Sequence, residues 1–257
     1  MSELKALLFD VDGTLADTER DGHRVAFNLA FDDAGLGWHW SVDDYAWLLQ
    51  VTGGKERIRF FIEQKNPPLP ADVDLDSMIP ELHRSKTDHY THLLGEGRIP
   101  LRAGVERLIN EARGSGMRLA IATTTTPANV TALLENTLGA ESIAWFEVIA
   151  AGDVVPAKKP APDIYQWAMQ QMLLKPAECI AFEDSENGVI SVKDSGIRAV
   201  LVATNHYTEE HDFDGATSVI DQLGDPGSPL HNIAGVRIDG DLVDMAAVRR
   251  IHAAANA

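Results

Sequence analysis

Apolar residues gather along this chain in five short unbroken runs: Leu4 to Phe9, Met117 to Ala122, Val148 to Ala151, Cys179 to Phe182 and Ala199 to Ala203. Runs of that length without polar alternation predict strands buried on both faces, as in a parallel sheet. Most of the intervals between them carry a helical period instead. Thr126 is placed to cap a helix with Pro127 at its first position, and Leu133, Leu134 and Leu138 then recur at helical spacing. Asp163 opens another helix, with Ile164, Trp167, Ala168 and Met172 on one face; Val189, Ile190 and Val192 mark a third, which Gly196 ends. Strand and helix in alternation imply an α/β protein with a doubly wound, Rossmann-like parallel sheet and helices on both faces.

The interval from Glu19 to Gly97 departs from that alternation. Its periodicity is mostly helical, broken at Gly53-Gly54 and at Asn66-Pro67-Pro68-Leu69-Pro70. This predicts an α-helical cap domain over residues 19–97, inserted into a catalytic core formed by 1–18 and 98–257. An insert directly after the first strand would emerge at the carboxyl end of the sheet, where open α/β proteins bind ligands, and could act as a lid. Trp38, Trp40, Tyr45 and Trp47 are expected in the cap's core, and Asp32-Asp33 and Asp43-Asp44 at helix starts and solvated turns. The tail beyond Gly224 carries no functional signal.

Composition narrows the partners. With 257 residues, 45% of them hydrophobic and 24% charged, the chain reads as a folded enzyme and not as a disordered segment. Its net charge of -17 argues against nucleic acid and anionic membrane as partners, so an anionic substrate must be held by a few placed cations. Cys179 is the single cysteine and lies in an apolar run, which predicts a buried, inert thiol. Leu4 to Phe9 is too short for a signal sequence, and no segment approaches the length of a membrane span. The expectation is a cytoplasmic monomer. The nine histidines form no zinc-binding spacing, and His23, His83, His89 and His92 read as surface or hinge residues.

Four groups with chemical potential follow predicted strands. After the first comes Asp10-Val11-Asp12-Gly13-Thr14-Leu15, after the second Thr123-Thr124, beyond the third Lys158-Lys159-Pro160, and at the end of the fourth Glu183-Asp184-Ser185. Two carboxylates one residue apart at a buried strand end call for a cation, and a second acidic pair offers more of the hard oxygen ligands that Mg²⁺ prefers. Hydroxyls and a fixed ammonium then suit a phosphoryl group. In this reading Asp10 attacks phosphorus, Asp12 donates and later removes the proton, and Lys159 and Thr123 neutralise the developing charge. Lys158 is an alternative to Lys159, Glu183 could stand behind the metal ligands and not among them, and Thr124 to Thr126 could serve only as turn and cap.

In order, Asp10 to Thr14, Thr123, Lys159-Pro160-Ala161-Pro162-Asp163 and Glu183-Asp184-Ser185 resemble the four motifs of the haloacid dehalogenase superfamily, over the whole core. The chain is similar to the branch holding β-phosphoglucomutase and the CbbY phosphatases, whose helical cap follows the first motif. Asp17-Thr18-Glu19, Thr52-Gly53-Gly54-Lys55-Glu56-Arg57, His83-Arg84-Ser85-Lys86 and Ala122-Thr123-Thr124-Thr125 resemble the CbbY group, known for hydrolysing xylulose 1,5-bisphosphate, a misfire product that inhibits Rubisco. The resemblance implies that Asp10, the backbone carbonyl of Asp12, and Asp184 with Glu183 nearby hold Mg²⁺. It makes Glu19 a contact for sugar hydroxyls near the reacting phosphate. Lys55, Arg57, Arg84 and Lys86 would clamp a second phosphate, with Gly53, Gly54, His83 and Thr124 also at the substrate. The stretch Arg20 to Gly22 before His23 is a residue longer than in some relatives, and Ala103 stands where proline is common. Two rivals are a sugar phosphomutase using the same Asp10 and, from a different class, a non-catalytic protein that sequesters a phosphorylated ligand. Lys55-Glu56-Arg57 after two glycines resembles the phosphatases more than the mutase.

Overall fold

A computed structural model describes residues 3–51 and 53–257. The chain forms two compact units, Met1–Asp17 with Pro100–Ala257, and Thr18–Ile99. The first unit opens with β1 (Ala6–Phe9). The second holds a π-helical turn (Thr18–His23) and then α1 (Arg24–Asp33), α2 (Val42–Leu48), α3 (Gly54–Lys65) and α4 (Leu75–Gly95). Back in the first unit come α5 (Val105–Gly114), β2 (Arg118–Thr123), α6 (Pro127–Leu138), β3 (Val148–Ala151) and α7 (Asp163–Gln171). They are followed by β4 (Cys179–Glu183), α8 (Glu186–Asp194), β5 (Ala199–Ala203), β6 (Ser218–Ile220), β7 (Asn232–Gly235) and α9 (Met245–Ala255).

The five apolar runs are the five central strands. The sheet runs β3-β2-β1-β4-β5-β6-β7, parallel except for the last pair. One face is covered by α7 and α8, whose Ile164, Tyr165, Ala168, Val189 and Val192 pack on Ala6, Leu8, Ala120, Ala181 and Val200. Alternate strand residues such as Leu7, Phe9, Ile121 and Phe182 are buried on the opposite face. α5 and α9 pack on each other and on β2, β4 and β5, completing the doubly wound arrangement. Two strands, β6 and β7, lie outside the predicted runs.

Local sequence sets the boundaries. Thr126 accepts the Asn129 N–H at 3.3 Å and Ser185 that of Gly188 at 3.3 Å, capping α6 and α8. Gly196, at φ +93°, ends α8 in the left-handed region. In the helical unit, Ser41 and Asp44 form a reciprocal capping box on α2. α3 starts after Gly53 and stops at left-handed Asn66, before Pro67-Pro68. Arg20 to Gly22 fall within the π-helical turn Thr18–His23.

Several expectations are corrected. Asp32 and Asp33 close α1 instead of opening a helix. Trp38, Trp40 and Tyr45 are buried, but Trp47 is 36% exposed, its ring tilted against Phe60 with the Lys65 ammonium over it. Among the described residues no helix is long and apolar enough to cross a membrane. Cys179 is buried, and burial pushes its thiol up to about 12.

Candidate active site

The register of β1 against β4 pairs Phe9 with Phe182, whose rings stack at 4.5 Å. The residues that follow, Asp10 and Glu183, therefore stand abreast at the carboxyl ends of adjacent strands. This is where strand order reverses, with β2 and β3 on one side and β5 on the other, the topological switch point at which open α/β sheets hold ligands. Asp10, Glu183 and Asp184 are all buried, and each offers a carboxylate oxygen within 4.8 Å of the others.

One lysine enters this acidic pocket. Lys159, after β3, donates to Asp10 Oδ1 at 2.6 Å and to Glu183 Oε1 at 2.6 Å, while the Tyr165 hydroxyl of α7 also donates to Glu183 Oε1. Burial would lower the ammonium pKa, but Asp10 and then Glu183 outweigh it and hold the lysine charged. Burial first, then Glu183, keeps the Tyr165 phenol protonated as a donor. For the acids the balance runs the other way. Burial, countered by Lys159 and aided by Asp10, raises Glu183; burial, then Asp10 and Glu183, raises Asp184 well above the usual carboxylate range. One ammonium does not offset three carboxylates, so a further positive charge would return the acids to their ionised forms. All donors are hard oxygens, and Glu183 Oε2 is buried without a hydrogen-bond partner, a set that fits a small divalent cation.

Two glycines let the backbone approach these acids. A Cβ on Gly13, at φ +83°, would lie 2.1 Å from Asp184 Oδ2, and one on Gly188 would lie 1.9 Å from Glu183 Oε2. Asn205, after β5, donates to Asp184 Oδ2 at 2.7 Å, its own Oδ1 fixed by the Tyr207 N–H at 2.9 Å. Asp12 is half-buried on the loop leaving β1, and Thr123 is buried at the end of β2. Thr124 is exposed, and Thr125 and Thr126 serve turn and cap. Lys158 is exposed and pairs with Asp153 at 3.1 Å, whereas the lysine that donates to Asp10 and Glu183 is Lys159.

In the helical unit, Tyr45 donates to Glu19 Oε2 at 2.6 Å and accepts from Arg57 at 2.7 Å, with Arg57 3.9 Å from Glu19. Lys86 Nζ lies 2.8 Å from His23 Nδ1 and over the rings of Phe27 and Tyr90, and His23 stacks on Tyr90 at 3.9 Å. Burial first, then Lys86, holds His23 well below its usual pKa, so the neutral ring accepts at Nδ1 from the ammonium. Burial, then Lys86 and Lys55, likewise lowers half-buried His83, whose ring crosses Gly54 so closely that a Cβ there would meet it at 2.6 Å. His23 and His83 are thus half-buried and packed within the unit; His92 is exposed and His89 pairs with Asp33.

The cap cations do not all converge. Residues two apart on a helix face different ways. Arg57 and Lys86 are buried, whereas Lys55 and Arg84 are exposed, Lys55 beside Glu56, Arg59 and Asp76 along a groove of α3 and α4. Gly53 is exposed, and Thr52 lies outside the described residues. Sequence reasoning missed Tyr165 and Asn205 and took Tyr45 for core alone. Asn205 had a signal: like Asp10 and Asp184, it lies just beyond the carboxyl end of a strand.

A parallel doubly wound sheet with acids at the ends of β1 and β4 and a lysine after β3 defines a class, and residues 4–196 match the haloacid dehalogenase-like hydrolases. The chain belongs to that family. Within it the chain is CbbY-like. It is 50% identical over 214 residues to protein CbbY of Rhodobacter capsulatus (83% of this chain, 91% of that one) and 42% identical over 250 residues to the plasmid CbbY of Cupriavidus necator (97% of each). It is also similar to the crystal structure of CbbY from Rhodobacter sphaeroides in complex with xylulose-(1,5)bisphosphate, with 43% identity and a TM-score of 0.72 over 85% of this chain and 94% of that one.

Proposed function

We propose that the protein is a magnesium-dependent phosphatase that hydrolyses a sugar bisphosphate, xylulose 1,5-bisphosphate or a near isomer, through an aspartyl phosphate on Asp10. The observation that carries this is the convergence of Asp10, Glu183 and Asp184 with a single buried lysine at the switch point. Asp10, Asp184 and the Asp12 carbonyl, with Glu183 beside them, would hold Mg²⁺, which when bound supplies positive charge for the phosphoryl oxygens.

Lys159 holds Asp10 by Oδ1, leaving Oδ2 as the attacking oxygen. It forms a bond to phosphorus as the bond to the sugar oxygen breaks, and that oxygen takes a proton from Asp12. Asp12, now ionised, removes a proton from water; the resulting hydroxide attacks phosphorus and releases inorganic phosphate and the Asp10 carboxylate. Lys159 and the Thr123 hydroxyl face the equatorial oxygens throughout. In the cap, Glu19 with Tyr45 and Arg57 addresses sugar hydroxyls, and Arg57 and Lys86 are the cations for the second phosphate. The likeness to a relative crystallised with xylulose-(1,5)bisphosphate supports this choice of substrate.

The test is phosphate release from xylulose and ribulose 1,5-bisphosphates, hexose 1-phosphates and phosphoglycolate, with isomerised sugar assayed in parallel. Bisphosphate hydrolysis abolished in Asp10→Asn supports the proposal. Isomerisation without phosphate release, or turnover surviving in that variant, refutes it.

A further inference from the structure

We propose that Arg102 is a positioning residue that fixes the slot holding the Asp184 carboxylate and, through it, the metal site. The inference rests on the phosphatase reading only for its kinetic readout.

Arg102 sits where the chain re-enters the core unit after Pro100. Its backbone N–H donates to Leu15 O at 2.8 Å, and the preceding Leu101 bridges Ala16 in antiparallel fashion. Its side chain is only 9% exposed and meets backbone carbonyls on three separate segments. Nη1 donates to Gly13 O and to Ala203 O, the latter at 2.8 Å; Nη2 donates to Thr204 O and to Asp221 O, the latter at 2.8 Å. Nε lies 3.5 Å from Asp17 Oδ1. Four donors of the guanidinium fork are therefore directed at backbone carbonyl oxygens, an arrangement that a three-donor ammonium cannot reproduce.

What these carbonyls belong to gives the arrangement its meaning. Gly13 is one wall of the Asp184 slot, so close that no Cβ fits beside Oδ2. Asn205, the residue after Thr204, is the other wall and donates to the same Oδ2. Arg102 ties the two walls together through the Gly13 and Thr204 carbonyls without touching Asp184. It also anchors the loop that begins with Asp10 and Asp12. Displacing either wall would move Asp184 relative to Asp10, and misplacement of reacting groups by about 1 Å typically costs about 10²-fold in rate.

A matched control exists in the same unit. Arg107 donates to the carbonyls of Val243, Leu223 and Gly224, far along the chain from the acidic pocket's loops. Arg102→Lys and Arg107→Lys should both lower the melting temperature. Only Arg102→Lys should cut kcat, by about 10²-fold with KM within about threefold, and weaken Mn²⁺ binding measured by electron paramagnetic resonance without turnover. Asn205→Ala, which leaves the Arg102 bonds intact, should weaken Mn²⁺ binding in the same way and serves if Arg102→Lys does not fold. The proposal is overturned if Arg102→Lys folds and keeps wild-type kcat and Mn²⁺ affinity, if Arg107→Lys loses both equally, or if Asn205→Ala changes neither. Failure of the phosphatase reading would show separately, as wild-type protein that binds Mn²⁺ but releases no phosphate.

Discussion

Replacing Gly188 by alanine sets two effects against each other. Gly188 lies inside α8, where glycine costs about 0.5–1 kcal/mol relative to alanine, so propensity alone predicts that Gly188→Ala stabilises. The added Cβ, however, would stand 1.9 Å from Glu183 Oε2 and 2.2 Å from its Cδ. To regain ordinary contact the carboxylate must retreat by roughly 1.5 Å, and its fully buried side chain is held at Oε1 by Lys159 and Tyr165. Retreat breaks two hydrogen bonds to a charged group, each worth about 1.5–3 kcal/mol. The net expectation is a loss of roughly 2–5 kcal/mol, with kcat down about 10²-fold. Gly95 and Gly114, the last residues of α4 and α5, have nothing within 4 Å of a new Cβ, so alanine there should be neutral or stabilising by less than about 1 kcal/mol. Urea denaturation with phosphate-release assays on the three variants gives the comparison. A Gly188→Ala protein at least as stable as wild type, with intact turnover, would show that Glu183 is not clamped as described.

Other outcomes follow from the same geometry. Adding Mg²⁺ at about 100 times its Kd should stabilise the protein by about 2.7 kcal/mol, and Asp184→Asn should remove most of that gain; equal gains in both would exclude Asp184 as a ligand. Arg57→Ala should lower kcat/KM for a bisphosphate by about tenfold or more, while Arg84→Ala should leave it within about twofold, because only Arg57 is buried in the cap network. Because the folded pKa of His23 lies well below 6.5, its contribution to stability is present above that pH and is lost as pH falls towards the folded value. Ring-proton NMR should find His23 neutral at pH 6.5, and protonation at its ordinary pKa would contradict the buried pairing with Lys86.

The five central strands were legible because each is apolar on both faces, a pattern that survives without any neighbour. β6 is three residues long, and β7 is mostly exposed and antiparallel, so neither leaves such a trace. The acids and Lys159 were legible because their chemistry is unusual at buried strand ends. Arg102 was not, since its partners are backbone carbonyls, which carry no residue identity. The cap cations Lys55, Arg57, Arg84 and Lys86 were grouped by resemblance, and the structure separates buried Arg57 and Lys86 from exposed Lys55 and Arg84, a difference that sequence hides because residues two apart on a helix point apart. Trp47 went astray for a related reason, as composition does not say which side of α2 an aromatic ring occupies.

The short antiparallel bridge between Ala16 and Leu101 holds the two ends of the whole insertion side by side within the core unit. To the sheet, everything from residue 18 to residue 99 is a loop whose stems are already closed, so its length and content bear little on strand register. Such a junction makes the insertion exchangeable. Lineages could remodel or replace it to meet new sugars while inheriting the chemistry beneath unchanged.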